Sequence, residues 1–247
     1  MASRIHIGTS GWHYSHWRGP FYPKDLPDGE MLRAYVQYFQ TVEINTSFYH
    51  LPSRQTFKSW RDQTPSGFTF AVKASRHITH MKKLRDPESA TGKFFDHVRG
   101  LGKKAGPVLF QLPPHWHSNA ERLQSFLETL PQGYRFAFEF RDTTWFNAEV
   151  GDLLRKHHAA LCVYDLAAQQ SPRELTANFA YLRLHGPAEQ KYSGRYTRPQ
   201  LREWVNLCAE WLESRARQIY VYFDNDQSGY AALNAAEMQE MTSKSGL

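Results

Sequence analysis

The sequence predicts an α/β chain folded as a single (β/α)8 TIM barrel over residues 1–247, with an irregular, shortened sixth unit. Three observations carry that prediction. Eight short apolar runs alternate with amphipathic segments, neither a linker nor a repeated unit interrupts the alternation, and 247 residues match the roughly 250 of such barrels. Strand–helix alternation implies parallel pairing under covering helices, with an open doubly wound sheet as the alternative.

In chain order, Ile5–Thr9 reads as the first strand and Glu30–Phe39 as the first helix. Thr41–Asn45 alternates apolar Val42 and Ile44 with polar Glu43 and Asn45, a strand pattern, and Arg54–Asp62 has helical spacing. Phe68–Lys73 and Val108–Leu112 are strands flanking the helix Glu88–Lys103, whose glycine-rich end Gly100–Gly106 reads as a C-cap because it closes a helix instead of opening one. Helix Ala120–Leu130, strand Arg135–Phe140, helix Ala148–His157 and strand Ala160–Tyr164 follow. Leu166–Asn178 is too short and polar for a full helix, which makes the sixth unit irregular. Strand Phe179–His185, helix Arg198–Ser214, strand Gln218–Phe223 and helix Tyr230–Met241 complete the alternation.

Composition narrows the class. Hydrophobic residues at 41% and aromatics at 15% exclude a disordered chain. No stretch approaches the about 18 consecutive apolar residues of a membrane span, and the start runs directly into strand-like sequence without an apolar signal region. A cytoplasmic protein without a membrane partner is the expectation. The net charge of +6 suits an anionic partner, either a small molecule or nucleic acid. Two isolated cysteines, Cys162 in a strand and Cys208 in a helix, are too few for a disulfide framework or a structural zinc site.

Strand parity picks out a candidate site. Outward residues of barrel strands pack under helices, whereas inward residues near the C-terminal ends line the mouth where barrel active sites sit. Apolar partners facing outward direct Glu43, Asn45, Lys73, Gln111, Glu139 and Arg141 inward. The same rule places His6, Gly8 and Ser10 inside on the first strand, Tyr181, Arg183 and His185 on the seventh, and Tyr220, Tyr222 and Asp224 on the eighth. Buried unpaired charge costs several kcal/mol, so these groups must pair, bind a ligand or reach water. A salt-bridge network joining Glu43, Glu139 and Asp224 to Lys73, Arg141 and Arg183 satisfies that demand without any catalysis. The loop Gly8–Pro23 adds Trp12 and Tyr14, and other loops add Tyr49, Trp145, Tyr192 and Tyr196, aromatic faces suited to a sugar or base. His77, His80, Lys82, Lys83 and Arg85 form a basic edge after the third strand.

Taken together, Gly8-Thr9-Ser10-Gly11-Trp12, Val42-Glu43-Ile44-Asn45-Thr46-Ser47-Phe48-Tyr49, Phe110-Gln111-Leu112-Pro113-Pro114, Glu139-Phe140-Arg141, Arg183-Leu184-His185-Gly186 and Tyr222-Phe223-Asp224-Asn225-Asp226 resemble the domain-of-unknown-function-72 family, also called YecE-like. The resemblance spans nearly the whole chain and implies a TIM-barrel fold, but the family brings no established activity. It implies that Glu43, Asn45, Gln111, Glu139, Arg141, Arg183, His185, Asp224 and Asn225 occupy motif positions.

Three functions remain open. A divalent-metal hydrolase of a phosphoester or nucleic acid would use Glu43, Glu139, His185 and Asp224 as catalytic residues and ligands of Mn, Zn or Mg, with Lys73, Arg141 and Arg183 neutralising phosphate. A metal-free acid–base enzyme on a sugar or sugar phosphate would use Glu43 and Glu139 as the carboxylate pair, beside Trp12, Tyr14 and Trp145. A non-catalytic module would bind nucleic acid or another polyanion through its basic loops.

Overall fold

A computed structural model describes residues 4–167 and 169–247. Residues 1–3, part of the start on which the expectation of no signal region rests, and Ala168 in the sixth connection lie outside the described residues. The elements are β1 (Ile5–Thr9), α1 (Met31–Tyr35), β2 (Thr41–Ile44), α2 (Thr46–Tyr49), α3 (Arg54–Asp62), β3 (Thr69–Lys73), α4 (Pro87–Val98), β4 (Ala105–Gln111), α5 (Ala120–Glu128), β5 (Phe136–Glu139), α6 (Ala148–Lys156), β6 (Ala160–Leu166), β7 (Gln169–Gln170), β8 (Phe179–Leu184), α7 (Arg198–Ser214), β9 (Gln218–Phe223) and α8 (Tyr230–Lys244). The strand order is β1-β9-β8-β6-β5-β4-β3-β2, with the short β7 antiparallel to β6. The fold is a (β/α)8 TIM barrel.

The chain forms two compact units. The first comprises Met1–Glu43, Val163–Ser171 and Asn178–Leu247. Within it β1 pairs in parallel with β9, and β9 with β8, in the registers Gly8↔Tyr222 and Arg183↔Tyr222. Ile5, Ile7, Leu182, Leu184, Val221 and Phe223 are buried, and α8 packs on β1 and α7. Gly8 permits the close approach of Thr41, because a Cβ there would lie 2.2 Å from the Thr41 carbonyl oxygen. Tyr35 closes the same corner, accepting from the Thr9 backbone N–H at 3.0 Å and donating to the Thr41 carbonyl at 3.0 Å.

The second unit comprises Ile44–Cys162 and Pro172–Ala177. Here β3, β4 and β5 run parallel, and β5 continues onto Ala160 and Leu161. Phe110 stacks on Phe138 and meets Phe126 of α5 edge-on at 5.0 Å, so aromatic contacts fix that helix to the sheet. Ser53, Asn119 and Asn147 cap α3, α5 and α6 through side-chain oxygens, which explains where those helices start.

Several boundaries differ from the sequence reading. The first helix is five residues long and follows a 3-10 turn at Asp28–Glu30. The fourth helix ends at Val98 and passes into a 3-10 segment, Arg99–Lys104. The sixth connection holds no helix among its described residues but turns back as β7. Among the described residues no helix is long and apolar enough to cross a membrane. Cys162 and Cys208 are buried free thiols.

Candidate functional site

The first unit gathers a polar cluster at the C-terminal ends of β1, β2, β8 and β9. Backbone ladders carry strand parity one or two residues beyond the regular strands: Ser10 N–H donates to Phe223 O at 2.9 Å, Gly11 N–H to Glu43 O at 2.8 Å, His185 N–H to Asp165 O at 2.9 Å and Asp224 N–H to Leu184 O at 2.8 Å. The side chains that parity directs inward therefore meet.

Arg183 sits at the centre, fully buried. Its Nη2 donates to Glu43 Oε1 at 2.8 Å and to Asp224 Oδ2 at 3.0 Å, and its Nε lies 3.1 Å from Glu43 Oε2. Glu43, also fully buried, further accepts from Ser10 Oγ and from the Tyr181 hydroxyl, each at 2.6 Å. Every lone-pair direction of that carboxylate is well supplied with donors, which a buried charge requires. His185 completes the chain, with Nδ1 3.0 Å from Asp224 Oδ2 and Nε2 3.5 Å from Arg183 Nη1. A guanidinium only donates, so Nε2 accepts and the proton on Nδ1 points to Asp224.

Asp226 stands on the same β9–α8 loop in a different setting. Trp17 Nε1 donates to its Oδ1, and His16 Nε2 lies 3.0 Å from its Oδ2. Burial, outweighing the opposing Trp17 hydrogen bond and the His16 charge, pushes its carboxyl up to about 6, with Asp224 adding repulsion. Tyr14 packs beside Trp17, donates to Ser10 O at 2.6 Å and has its hydroxyl pushed far up by burial, then by the charges of Asp224, Asp226 and Glu43. Asn225 is buried and donates to Gly194 O and Asn234 Oδ1, a bracing role. The rim is more open: the Asp224 and Asp226 side chains are 13% and 18% exposed, and Tyr192, 46% exposed, sets its ring edge-on to His185 at 5.4 Å.

The second unit holds the other sequence candidates. Glu139 is fully buried and accepts from Arg141 in a short ion pair, and Cys162 Sγ donates to its Oε2 at 3.7 Å. Gln111 is paired with Glu139 in the β4–β5 register. Lys73 places its ammonium 4.3 Å from the centre of the Phe48 ring. Asn45 precedes α2 without capping it through its side chain, and Tyr49 at the end of α2 is 63% exposed.

The family profile described as "Protein of unknown function DUF72" matches residues 6–246. The chain belongs to the DUF72 family. It is 26% identical to the UPF0759 protein YunF of Bacillus subtilis, across 96% of this chain and 94% of that one. A crystal structure of a DUF72 family protein from Thermotoga maritima superposes with a TM-score of 0.88 and 29% identity, covering 98% of this chain and 100% of that one. A xylose isomerase domain containing protein from Salmonella typhimurium matches at a TM-score of 0.56 and 10% identity over 98% and 96% of the two chains, a likeness of fold alone.

Packing and ion pairs occupy several of the side chains that the sequence singled out. Trp145 is buried, stacked on Phe140 at 4.8 Å and hydrogen-bonded through Nε1 to the Trp116 carbonyl, and Trp12 is buried too. Among the described residues no three His, Cys, Asp or Glu side chains are placed to hold one metal ion. Glu43, Asp224 and Glu139 each face an arginine instead. Sequence reasoning about this DUF72 chain left Asp226 and His16 without roles and assigned no partner to Tyr181. The Asp-Asn-Asp spacing after β9 was the available signal for Asp226.

Proposed function

We propose that this DUF72 chain is an acid–base enzyme acting on a small hydroxylated substrate, such as a sugar or sugar phosphate, at the Asp224–Asp226 rim of the first unit. The observation that carries the reading is the pair of carboxylates two residues apart in unlike environments. Asp224 is bound by Arg183 and His185, whereas Asp226 is desolvated under Trp17 and exchanges its proton near neutral pH. Carboxyls whose surroundings separate their protonation behaviour are the usual hardware of acid–base catalysis.

In this reading Asp226 moves the proton, and Asp224 receives a substrate hydroxyl while His185 and Arg183 hold it in place. The exposed Tyr192 ring covers the substrate's apolar face. Glu43 and Arg183 are a platform that positions the rim; a Glu43–Glu139 catalytic pair is disfavoured because an arginine engages each. The phosphoester hydrolase with Mn, Zn or Mg is the weaker alternative for the same reason. Non-catalytic polyanion binding draws support from Trp116, which has Lys83 and Arg122 each 5.9 Å from its ring.

The test is incubation of wild type and Asp226→Asn with a fractionated small-molecule extract, followed by mass spectrometry. Conversion of a hydroxylated compound by wild type, lost in a folded Asp226→Asn, supports the proposal. Equal conversion by both proteins, or none by either across the pH range, overturns it. Salt-sensitive nucleic-acid binding that survives the substitution, without conversion, favours the binding module.

A further inference from the structure

We propose that α3 and the 3-10 segment Arg99–Lys104 of the second unit form a docking surface for the phosphate backbone of a nucleic-acid duplex. The surface stands independently of the first-unit rim.

The first observation is where the charge lies. Helix α3 carries Arg54, Lys58 and Arg61 at spacings of four and three, which sets them on one helical face. The last turns of α4 and the 3-10 segment add Lys93, Arg99, Lys103 and Lys104. Against these seven cations, residues 54–62 and 93–104 hold two carboxylates, Asp62 and Asp96. Two short stretches therefore carry a surplus of five positive charges, in a chain whose net charge is +6.

Backbone packing holds the two stretches together. Gly100 lies so close to α3 that a Cβ there would stand 2.4 Å from the Arg54 carbonyl oxygen and 2.9 Å from Phe57 Cβ. Two residues on, a Cβ at Gly102 would be 3.8 Å from Arg61 Nη1. Lys104 Nζ then donates to the Arg61 and Thr64 carbonyls at the end of α3, each at 2.5 Å. Asp96 bridges the stretches, 3.6 Å from Arg54 and 3.9 Å from Arg99, and Asp62 takes Arg61 at 2.7 Å. Among the described residues Lys58, Lys93 and Lys103 are exposed and have no ion-pair partner. Like charges three and four apart destabilise a helix, and a second cationic segment beside them adds repulsion. A polyanion relieves that repulsion.

The form of the surface selects the partner. At 1.5 Å per residue, Arg54 to Arg61 covers about 10 Å of helix axis, the rise of about three phosphates along one duplex strand. Single-strand binders stack bases on exposed aromatic rings, membrane-surface helices sink apolar side chains into the interface, and protein interfaces centre on aromatic anchors. The exposed large hydrophobic side chains among the described residues, Tyr38, Tyr49, Met81 and Tyr192, belong to neither stretch. Cations without a stacking or anchoring surface suit a duplex, whose bases already stack on one another and whose backbone presents the charge.

The test is fluorescence anisotropy of an end-labelled DNA duplex of about 24 base pairs, titrated with the intact chain between about 0.05 and 0.3 M KCl. Engagement of about four phosphates gives an expected slope of log K against log salt of about −3.6. Lys58→Gln/Lys103→Gln is expected to make the slope shallower by about two and to weaken binding at about 0.1 M salt about tenfold or more, with Tm unchanged or raised because repulsion is removed. Each single substitution is expected to give about half of that slope change. Lys24→Gln/Lys156→Gln removes two exposed lysines of other segments and is expected to bind as wild type does. A Lys58→Gln/Lys103→Gln protein indistinguishable from that control overturns the surface, as does absence of duplex binding at the lowest salt. Tighter binding of a single strand than of the duplex, or binding of phosphatidylserine vesicles without binding of the duplex, overturns the duplex assignment.

Discussion

Trp17 and Asp226, separated by 209 positions in sequence, are joined by a hydrogen bond from the indole Nε1 to the carboxylate. This bond ties the loop after β1 to the loop after β9, and it gives the Asp226 proton a spectroscopic reporter. The Trp17 indole N–H resonance is expected to titrate with a midpoint near 6, following the Asp226 carboxyl. Asp226→Asn abolishes that titration. A midpoint near 4 would show that burial does not hold the carboxyl in its protonated form.

The same group sets a pH dependence of stability. Its carboxyl is pushed from 3.8 to about 6 in the folded chain, so between those values the native state holds a proton that the unfolded state has lost. Stability from this group is therefore full below about pH 4 and declines as pH rises through 6, by at most about 3 kcal/mol. Asp226→Asn should flatten this segment of the profile and be the more stable protein at pH 7. Urea denaturation at pH 5 and pH 7 for both proteins measures it.

Arg183→Met strips the buried Glu43 carboxylate of its cation, an unpaired-charge defect worth about 3–5 kcal/mol. Adding Glu43→Gln to the variant should recover a substantial part of the loss, since the remaining amide is neutral: its oxygen can accept from one of the Ser10 and Tyr181 hydroxyls, and its NH2 can donate to the other once that hydroxyl turns. Unfolding midpoints for both singles and the double provide the coupling energy. Strict additivity of the two losses would contradict the ion-pair network.

Gly186 has φ of 110°, and a Cβ there would stand 2.0 Å from the Ser193 carbonyl oxygen. Gly186→Ala should cost about 2–4 kcal/mol and displace the loop that carries Tyr192. Loss of the ring-to-ring NMR contact between Tyr192 and His185, alongside a lower Tm, is the expected result.

The thiols should be inert in the folded chain. Burial pushes Cys208 up to about 12, and Cys162 is buried against Glu139. An aromatic disulfide reagent at pH 8 should modify both on the order of 100-fold more slowly in the native protein than in urea.

Strand parity made much of the first-unit cluster legible in sequence. Glu43, Arg183, His185 and Asp224 were selected because their apolar neighbours had to face helices, and the ladders past the strand ends place them together as that argument requires. Parity says nothing about loops. Trp12 and Trp145 looked like substrate platforms by composition, yet a tryptophan's large apolar area is equally served by burial, and packing claims both. Asp226 escaped notice because its character depends on Trp17 and His16 returning over it from the opposite end of the sequence. The short first helix and the β7 turn were missed because tertiary contacts override local propensity at element boundaries.

The distance along the chain between Glu43 and Arg183, 140 positions, has a consequence for synthesis. Glu43 leaves the ribosome long before the guanidinium that neutralises it, and Asp224 comes later still. Until then its carboxylate must remain hydrated, which forbids β2 from settling into its native surroundings. The second unit draws most of its length from the uninterrupted stretch Ile44–Cys162 and can organise while the rest is being translated. The first unit, stitched from early and late segments, has to wait for the final third of the polypeptide. A translation product that stops before Arg183 therefore carries Glu43 without the guanidinium that neutralises it.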